Sequence, residues 1–319
     1  MNISVLGSGR WGTFLAWYSR IIGHNVMLCG RKESKSFNIL CHQRHNEYLD
    51  LQEDLILSSS LEEAIAFGEF IIIAISAQEL RAFAKQICKF PITSKVFILC
   101  MKGIEANSGK RLSQIIYEEI GASTNVAIWV GPGHVQDYVK GIPNCMVVGS
   151  NSIDVTKAIV NELSSEIIRF YYGQDLIGNE LGAASKNVIG IGAGMLDGLN
   201  YSSLKGALMT RGTLEISRLI KAMGGNEVTA YGLSHLGDYE ATLFSQHSHN
   251  RRFGEEYVKG VKFEKLAEGV STVKALKMLS DKHDVDLPIC NAVYSILYEN
   301  KDPKQELINL FLRPVKFEF

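Results

Sequence analysis

The first chemistry that the sequence suggests lies in a glycine-rich segment near the amino terminus. The apolar run Ile3–Leu6 has the character of a short buried strand, and Gly7, Gly9 and Gly12 follow it as G-x-G-x-x-G. A helical pattern begins at once with Thr13. This context is typical of a dinucleotide-binding turn, where glycines allow a tight turn and the helix N-terminus receives the pyrophosphate. The alternative is a glycine turn in another α/β protein, such as a methyltransferase.

The residues after the second predicted strand bear on the type of dinucleotide. A fold specific for NAD usually has an acidic residue about 20 positions after the glycines, where it binds the ribose 2′-hydroxyl. This chain has Arg31 and Lys32 there. Basic side chains attract a 2′-phosphate that a carboxylate would repel, so we expect NADP(H), with NAD(H) as the second choice. The alternative is two solvated loop residues, and the neighbouring Glu33 is an argument for it.

Two further segments end predicted strands. Lys102 follows one strand directly, and Gly131-Pro132-Gly133 ends a later one. Open α/β sheets bind ligands at this edge, where a lysine can hold a phosphate or polarise a carbonyl. The alternative for Lys102 is an ordinary surface lysine.

A fourth segment places a lysine among small and apolar residues. Lys186 and Asn187 follow Gly182-Ala183-Ala184, whose small side chains would let a helix approach a neighbour closely. A lysine in such surroundings would be partly desolvated, which lowers its pKa and suits it to acid–base work. Taken alone, the pattern favours a lysine that extends its charged end to water.

Two polar segments that contain glycine follow, and we interpret both as loops that contact a ligand. They are Gly232–Asp238 and Ser248–Gly254. Clusters of polar residues and glycine are typical of loops rather than of buried helices. Glu268 precedes another predicted helix, where it would either reach ribose hydroxyls or stabilise the helix start.

The elements that must position these residues alternate between strand and helix in the first half of the chain. Predicted strands are Ile3–Leu6, Asn25–Cys29, Phe70–Ser76, Lys95–Met101, Asn125–Val130, Asn144–Val148 and Ile167–Tyr171. Predicted helices between them include Leu61–Phe67, Glu79–Cys88 and Gly109–Ile120. This alternation predicts an α/β fold with a Rossmann-like, doubly wound and mostly parallel sheet.

The second half has little strand pattern and predicts an all-α domain. Its predicted helices are Gly178–Leu199, Ser202–Met223, Val228–Ser234, Glu255–Lys259, Val270–His283 and Pro288–Glu299. We therefore expect a dinucleotide-binding domain over residues 1–175 and a helical substrate-binding and catalytic domain over residues 176–319.

Composition excludes several classes of protein. The 319 residues include 33 basic and 34 acidic side chains, a balance that argues against nucleic acid as the main partner. The six cysteines have no metal-binding spacing, so we expect reduced thiols and no metal. The amino terminus enters a strand without a leader pattern, and apolar runs are too short to span a bilayer, so we expect a cytoplasmic protein without a membrane partner.

Together these motifs resemble bacterial NAD(P)-dependent glycerol-3-phosphate dehydrogenases over almost the whole chain and in the same order. The segments that carry the resemblance are Gly7–Thr13, Lys102–Glu105, Gly131–Gly133, Gly182–Asn187, Thr210–Gly212 with Glu215, Gly237-Asp238, Asn250–Gly254 and Glu268-Gly269. The resemblance implies reversible hydride transfer between glycerol 3-phosphate and dihydroxyacetone phosphate, which supplies glycerol 3-phosphate for phospholipid synthesis. It also implies a homodimer.

The resemblance assigns roles to individual residues. Lys186 would be the catalytic proton acceptor from the C2 hydroxyl. Substrate contacts would be Lys102, Gly131, Gly133, Asn187, Asp238, Ser248, His249, Asn250 and Arg251. Cofactor contacts would be Gly7, Gly9, Arg10, Trp11, Gly12, Arg31, Lys32, Lys102, Val135, His249 and Glu268.

The chain departs from the family pattern at several positions. His249 stands where the family usually has an arginine that clasps the substrate phosphate, and histidine lacks a permanent charge and a bidentate fork. Gly133 replaces a serine, Val135 replaces an alanine, and Leu199 replaces an aspartate. Three explanations of His249 stay open: Arg251 or Arg252 takes over, His249 suffices with weaker and more pH-dependent binding, or the substrate has changed.

Two alternative functions follow from these departures. One is a related dehydrogenase with another phosphorylated or acidic hydroxy substrate, for which His249 is the main support. The other is a catalytically impaired cofactor-binding homologue, against which the retained Lys186 speaks.

Overall fold

In the computed structural model, which describes residues 1–315, 317 and 318, the chain forms two compact units. The first comprises Met1–Lys102 and Arg111–Asn179, and the second Gly103–Lys110 and Glu180–Phe319. The division falls inside the first turns of the long helix Leu176–Gly198.

The first unit is an eight-stranded sheet with helices between the strands. The strands are β1 (Asn2–Leu6), β2 (Asn25–Cys29), β3 (Ile56–Ser58), β4 (Phe70–Ile73), β5 (Val96–Leu99), β6 (Asn125–Val130), β7 (Asn144–Ser150) and β8 (Ile168–Gly173). The helices are α1 (Arg10–Ile21), α2 (Lys35–Gln43), α3 (Leu61–Phe67), α4 (Leu80–Ile87), α5 (Leu112–Glu119), α6 (Val135–Val139) and α7 (Ile153–Leu163). This is the Rossmann-like fold that the alternation predicts.

The strand order is β3-β2-β1-β4-β5-β6-β7-β8, and all neighbours are parallel except β6 and β7. The order reverses direction between β1 and β4, which makes that position a topological switch point. The register pairs Leu6 with both Cys29 and Ile73, so the three strands end at the same level. Gly7 continues this edge, because its amide donates to the carbonyl of Cys29 at 2.9 Å.

The core of this unit has two layers, one on each face of the sheet. Strand β4 is buried along its whole length, as expected for an apolar run covered on both faces. One layer includes Phe14 of α1 and Trp129 of β6, and the other includes Leu80 of α4 and Ile115 of α5. This packing fixes the carboxyl edge of the sheet, where the predicted cofactor residues lie.

The second unit is helical. Its helices are α8 (Leu176–Gly198), α9 (Lys205–Ala222), α10 (His249–Val258), α11 (Glu268–His283), α12 (Pro288–Tyr298) and α13 (Pro303–Phe311). Short 3₁₀ and π segments link α9 to α10, and Glu240–Phe244 forms a π-helical turn.

Glycines allow α10 to pack directly on α8. A Cβ atom at Gly194 would overlap the carbonyl of Arg251, and one at Gly254 would overlap the carbonyl of Ile191. Small residues at these positions let the two backbones approach to contact distance. This packing holds the start of α10 beside the turns of α8 that follow Lys186.

Several predicted elements are wrong in extent. Residues 249–254 were expected in a loop, but they form the first turns of α10, because the helix buries Gly254 against α8 rather than an apolar stripe. The predicted helix Val228–Ser234 is a 3₁₀ segment at Glu227–Tyr231. Five further elements were not predicted from the sequence, namely β3, α2, α6, α7 and α13.

Two further features of the described residues concern membrane-spanning helices and cysteines. No helix within residues 1–315 is both long and apolar enough to cross a membrane. All six cysteines are free, including the exposed Cys41 and Cys88.

Candidate active site

The glycine-rich turn has the geometry that a dinucleotide requires. Gly7 has a φ of +118°, and a Cβ atom there would overlap the carbonyl of Ala74 at the end of β4. A Cβ atom at Gly12 would overlap the carbonyl of Gly7, so the helix and the turn approach too closely for any side chain. A Cβ atom at Gly9 would meet nothing within 4 Å. The open space at Gly9, just before α1, fits a pyrophosphate at the helix N-terminus.

The other predicted cofactor residues of this unit surround the turn. Arg10 lies over the ring of Tyr48 at 5.3 Å, and its Nη2 donates to Gln136 at 3.5 Å. The ring of Trp11 lies 6.4 Å from that of Tyr138. Val135 is buried at the start of α6.

Arg31 and Lys32 follow β2 at the same edge, and both are exposed. The Arg31 guanidinium lies 3.6 Å from the carboxylate of Glu79, with side-chain exposures of 79% and 55%. An exposed pair of this kind is weak, so Arg31 is available to an incoming phosphate. Glu79 had no role in the sequence analysis.

Lys102 and the segment 131–133 come together after β5 and β6. The ammonium of Lys102 donates to the carbonyl of Gly131 at 2.9 Å. Gly131 and Gly133 have φ angles of +142° and +130°. This contact orients the lysine at the ligand-binding edge of the sheet.

Lys186 and Asp238 form a buried ion pair in the helical unit. The Lys186 Nζ lies 2.5 Å from Oδ2 of Asp238, and only 7% and 1% of their side chains are exposed. The Lys186 Nζ also donates to Oγ1 of Thr242 at 2.7 Å, and that hydroxyl donates to the Asp238 carbonyl at 2.7 Å. The lysine therefore does not extend to water. A buried ammonium with two fixed partners has a defined position, which acid–base chemistry needs.

Thr242 was missed by the sequence analysis. It belongs to the π-helical turn Glu240–Phe244, and such turns are frequent at functional sites. Its spacing of four residues from Asp238 was the available signal, because that spacing brings a hydroxyl to a carbonyl one turn earlier.

The starts of α10 and α11, which carry Asn250 and Glu268, lie close to Asn187 of α8. The Asn250 side-chain oxygen accepts from the amide of Gly269 at 2.9 Å, at the start of α11. A Cβ atom at Gly269 would lie 2.7 Å from the carbonyl of Asn187. The first turns of α10 and α11 therefore meet α8 directly after Lys186. The structure brings these predicted substrate and cofactor residues together.

Ser248 and His249 begin α10. Ser248 is its N-cap, and its hydroxyl accepts from the amide of Arg251 at 3.3 Å. The Nδ1 of His249 lies 3.2 Å from the carbonyl of Leu266, and its ring makes an edge contact with Phe263. The start of a ten-residue helix favours a bound phosphate through its amides and dipole.

The two arginines that follow differ in their surroundings. The Arg251 guanidinium pairs with Asp197 at 2.7 Å and with Glu255 at 3.0 Å, and its side chain is 14% exposed. The Arg252 side chain is 41% exposed and pairs with Glu256 at 3.2 Å. Arg251 is thus held in a network, whereas Arg252 is the more available cation.

A separate cavity of about 480 Å³ lies in the helical unit, lined in part by Arg211, Arg218 and Arg313. None of the predicted site residues lines it.

Among the described residues there is no cluster of side chains that could hold a metal ion.

Comparison with known proteins identifies the family. Residues 2–156 match the model of the NAD-dependent glycerol-3-phosphate dehydrogenase N-terminus, and residues 175–308 match that of its C-terminus. The chain belongs to the NAD-dependent glycerol-3-phosphate dehydrogenase family. The resemblance inferred from the motifs is confirmed.

Curated members of the family match over the full length. A glycerol-3-phosphate dehydrogenase, NAD(P)+, of Thermoanaerobacter sp. (strain X514) is 34% identical, with 100% of this chain and 99% of the relative covered. One of Clostridium botulinum (strain Eklund 17B / Type B) is 36% identical, with 99% of both covered.

Solved structures of glycerol-3-phosphate dehydrogenases align with almost the whole chain. The glycerol-3-phosphate dehydrogenase of Coxiella burnetii aligns with a TM-score of 0.91 at 27% identity and covers 98% of both chains. The Plasmodium falciparum enzyme, at 19% identity and a TM-score of 0.86, covers 99% of this chain and 96% of its own, and shows the same fold.

Proposed function

We propose that Lys186 is the acid–base group of an NAD(P)-dependent oxidoreductase that interconverts sn-glycerol 3-phosphate and dihydroxyacetone phosphate. The observation that carries the proposal is the buried contact of Lys186 with Asp238 and Thr242. The family members named above carry this activity in their names. Membership makes the chain an NAD(P)-dependent enzyme, and the ion pair adds a residue for the proton.

The proposed chemistry separates the hydride from the proton. During oxidation, the hydrogen on C2 leaves as hydride and the C2 hydroxyl gives its proton to the neutral amine of Lys186. During reduction, the ammonium of Lys186 returns that proton to the developing alkoxide. When bound, the nicotinamide accepts or supplies the hydride. Asp238 and Thr242 hold the Lys186 nitrogen in place for either direction.

Substrate contacts are assigned to the residues near Lys186 and to the lysine at the sheet edge. The set comprises Lys102, Gly131, Gly133, Asn187, Asp238, Ser248, His249 and Asn250. For the substrate phosphate, we favour the N-terminus of α10 together with His249 and Arg252. Arg251 is a poorer candidate, because Asp197 and Glu255 already hold its guanidinium.

The cofactor contacts lie mainly along the glycine-rich turn and the basic residues that follow β2. The set comprises Gly7, Gly9, Arg10, Trp11, Gly12, Arg31, Lys32, Lys102, Val135, His249 and Glu268. The curated relatives are named as NAD(P)+ enzymes. The exposed basic side chains of Arg31 and Lys32 support NADP(H) as the preferred form here. NAD(H) is the weaker alternative.

The cellular setting follows from the same assignment. The product glycerol 3-phosphate supplies phospholipid synthesis in the cytoplasm, where exposed thiols such as Cys41 and Cys88 stay reduced. The working form is a homodimer without nucleic-acid or membrane partners. Sedimentation of the purified protein tests the dimer.

The test of this function is a comparison of substrates. Purified protein is mixed with NADPH and dihydroxyacetone phosphate, and the absorbance of the reduced nicotinamide is followed. We expect rapid oxidation of NADPH, slower oxidation of NADH, and none with unphosphorylated dihydroxyacetone. NADPH that binds but is not oxidised would reject the proposal.

A second candidate function has one specific support. His249 stands where the family has a phosphate-binding arginine, which favours a related dehydrogenase with another phosphorylated or acidic hydroxy substrate. Turnover of such a compound at a higher kcat/KM than dihydroxyacetone phosphate would establish it.

A further inference from the structure

His235 connects two segments of the helical unit through a pair of short hydrogen bonds. Its ring is fully buried. Nδ1 lies 2.8 Å from the carbonyl oxygen of Gly182, and Nε2 lies 2.7 Å from the hydroxyl of Tyr239. A carbonyl only accepts, so Nδ1–H is the donor. Nε2 of the neutral ring then accepts from the Tyr239 hydroxyl.

The carbonyl of Gly182 belongs to the turn of α8 that carries the catalytic lysine. In an α-helix the amide of residue i donates to the carbonyl of residue i−4, so Gly182 and Lys186 close one turn. His235 therefore holds the peptide group that lies directly beneath Lys186. A Cβ atom at Gly182 would lie only 3.0 Å from the Cβ of His235, so the absence of a side chain allows this approach.

Tyr239 fixes the other member of the ion pair. It follows Asp238 directly, is 1% exposed, and makes an edge contact with the His235 ring at 4.8 Å between centroids. The segment that carries Asp238 is thereby fixed through Tyr239 and His235 to the turn that carries Lys186. The distance between the ammonium and the carboxylate depends on both links.

The two hydrogen bonds of His235 form together only if its ring stays neutral. The pKa of His235 is lowered to about 4, chiefly by burial and to a smaller extent by the nearby Lys186 charge, while the Gly182 hydrogen bond and the Asp238 charge oppose the shift. At neutral pH the ring therefore keeps one N–H for Gly182 and one lone pair for Tyr239. The Tyr239 hydroxyl stays protonated, because burial raises its pKa well above the ordinary value.

We propose that His235 and Tyr239 are positioning residues that set the geometry of Lys186 and Asp238 for proton transfer. The inference rests on the proposed role of Lys186. Neither side chain touches the reacting atoms in this scheme. Both act through hydrogen bonds, His235 on the Gly182 carbonyl and Tyr239 on the His235 ring. A displacement of about 1 Å at a catalytic group costs on the order of 100-fold in rate, so modest loosening is measurable.

The test compares variants that remove one or both of these hydrogen bonds. Tyr239→Phe removes the hydroxyl with little change of volume, His235→Leu removes both bonds, and His235→Asn keeps a side-chain N–H near the position of Nδ1. Tyr18→Phe is the matched control, because Tyr18 is equally buried and donates to the carbonyl of Leu163 at 2.5 Å in the other unit.

We expect kcat for dihydroxyacetone phosphate to fall about 10-fold in Tyr239→Phe and about 100-fold in His235→Leu. The kcat of His235→Asn should be at least 5-fold higher than that of His235→Leu. The Kd for NADPH should stay within twofold in all variants, and Tyr18→Phe should keep its kcat. A merely structural role would lower thermal stability without this split and without recovery by asparagine.

Hydrogen exchange of the full-length protein supplies a readout that does not need turnover. The amide of Lys186 should exchange at least 10-fold faster in His235→Leu and Tyr239→Phe than in the wild type and Tyr18→Phe. Unchanged exchange, or equal kcat in the leucine and asparagine variants, would overturn the proposal. If the wild type does not reduce dihydroxyacetone phosphate, the proposed function is rejected instead. The exchange data would still show whether His235 and Tyr239 fix the turn that carries Lys186.

Discussion

The phenol of Tyr138 occupies the space that a side chain at Gly133 would need. A Cβ atom at Gly133 would overlap the Tyr138 hydroxyl, and that hydroxyl donates to the carbonyl of Pro132 at 2.8 Å. The ring thus closes the turn that carries the predicted substrate residues 131 and 133. This contact gives a physical reason for glycine where the family usually has serine.

Restoring that serine should damage the turn. Gly133→Ser adds a clash with Tyr138 to a φ of +130°, which side chains rarely adopt, so we expect a loss of about 2–3 kcal/mol in the free energy of unfolding. Urea denaturation measures it. Gly141→Ser is the control, because Gly141 also has a positive φ but open space around it. Equal losses in both variants would mean that Tyr138 plays no part.

Cofactor preference should depend on Arg31. Arg31→Gln removes a charge suited to a 2′-phosphate, so the Kd for NADPH should rise about 10-fold while that for NADH changes less than twofold. Fluorescence of the bound nucleotide measures both. Arg169→Gln, which changes an exposed arginine over Tyr171 on β8, is the control. Equal weakening of both nucleotides in Arg31→Gln would contradict the assignment.

Substitution of Glu79 should have the opposite effect on the affinity for NADPH. Its carboxylate lies 3.6 Å from Arg31 and competes with a phosphate for that side chain. We expect Glu79→Gln to tighten NADPH by up to about fivefold, because an exposed ion pair is worth at most about 1 kcal/mol. The double variant with Arg31→Gln should lose this gain, and persistence of the gain would exclude competition for Arg31.

The fold was predictable where local pattern and packing agree. The segment from Ile3 to Gly12 is apolar, then glycine-rich, then helical, and the structure forms β1, the turn and α1 there. Strand β3 was missed because its three residues carry no alternation and Ile56 is exposed. Residues 249–254, the first turns of α10, were expected in a loop, because their helical conformation depends on contact with α8 rather than on an apolar face.

The candidate site was predictable mainly through the family resemblance. Nothing in the sequence near Lys186 indicates a carboxylate 52 positions away, and the residues alone favoured an exposed lysine. His235 was read as a polar residue of a loop, and burial beside Gly182 became visible only in the structure. Pairings between distant segments depend on tertiary packing, which a single sequence does not encode locally.

The substrate phosphate should make KM depend on pH through His249. If the imidazole binds the phosphate as a cation, KM for glycerol 3-phosphate should rise between pH 6 and 8 (roughly the histidine range). His249→Arg should lower KM at pH 8 and flatten the profile, since arginine keeps its charge. His283→Arg on α11 is the control for added charge. A flat wild-type profile would exclude His249 and favour Arg252.

Stability should also depend on pH through two buried groups with opposite effects. Burial lowers the pKa of His235 to about 4, so the unfolded chain gains a proton first and stability falls as pH drops from about 6.5 to 4. Burial raises the pKa of Glu215 to about 7, with the amides of Ile289 and Cys290 opposing it, so stability falls as pH rises from about 4.5 to 7.

Glu215→Gln should remove the Glu215 contribution to this pH dependence. Relative to the wild type, the free energy of unfolding of this variant should decline by roughly 3 kcal/mol as pH falls from 7 to 4.5, since one pKa unit corresponds to about 1.4 kcal/mol. Urea denaturation followed by circular dichroism measures the difference. Glu62→Gln, on the exposed start of α3, should show none. A pH-independent difference for Glu215→Gln would contradict the raised pKa.

The most direct measurement is the turnover of Lys186→Met with NADPH and dihydroxyacetone phosphate. Lys205→Met is its control, because Lys205 is another buried lysine in an ion pair, with Asp197 at 2.9 Å. We expect kcat of Lys186→Met to fall at least 1,000-fold (on the order of the loss of an acid–base group), with Kd for NADPH within twofold, and Lys205→Met to retain turnover. A Lys186→Met variant that keeps more than about a tenth of the wild-type kcat would show that another group moves the proton.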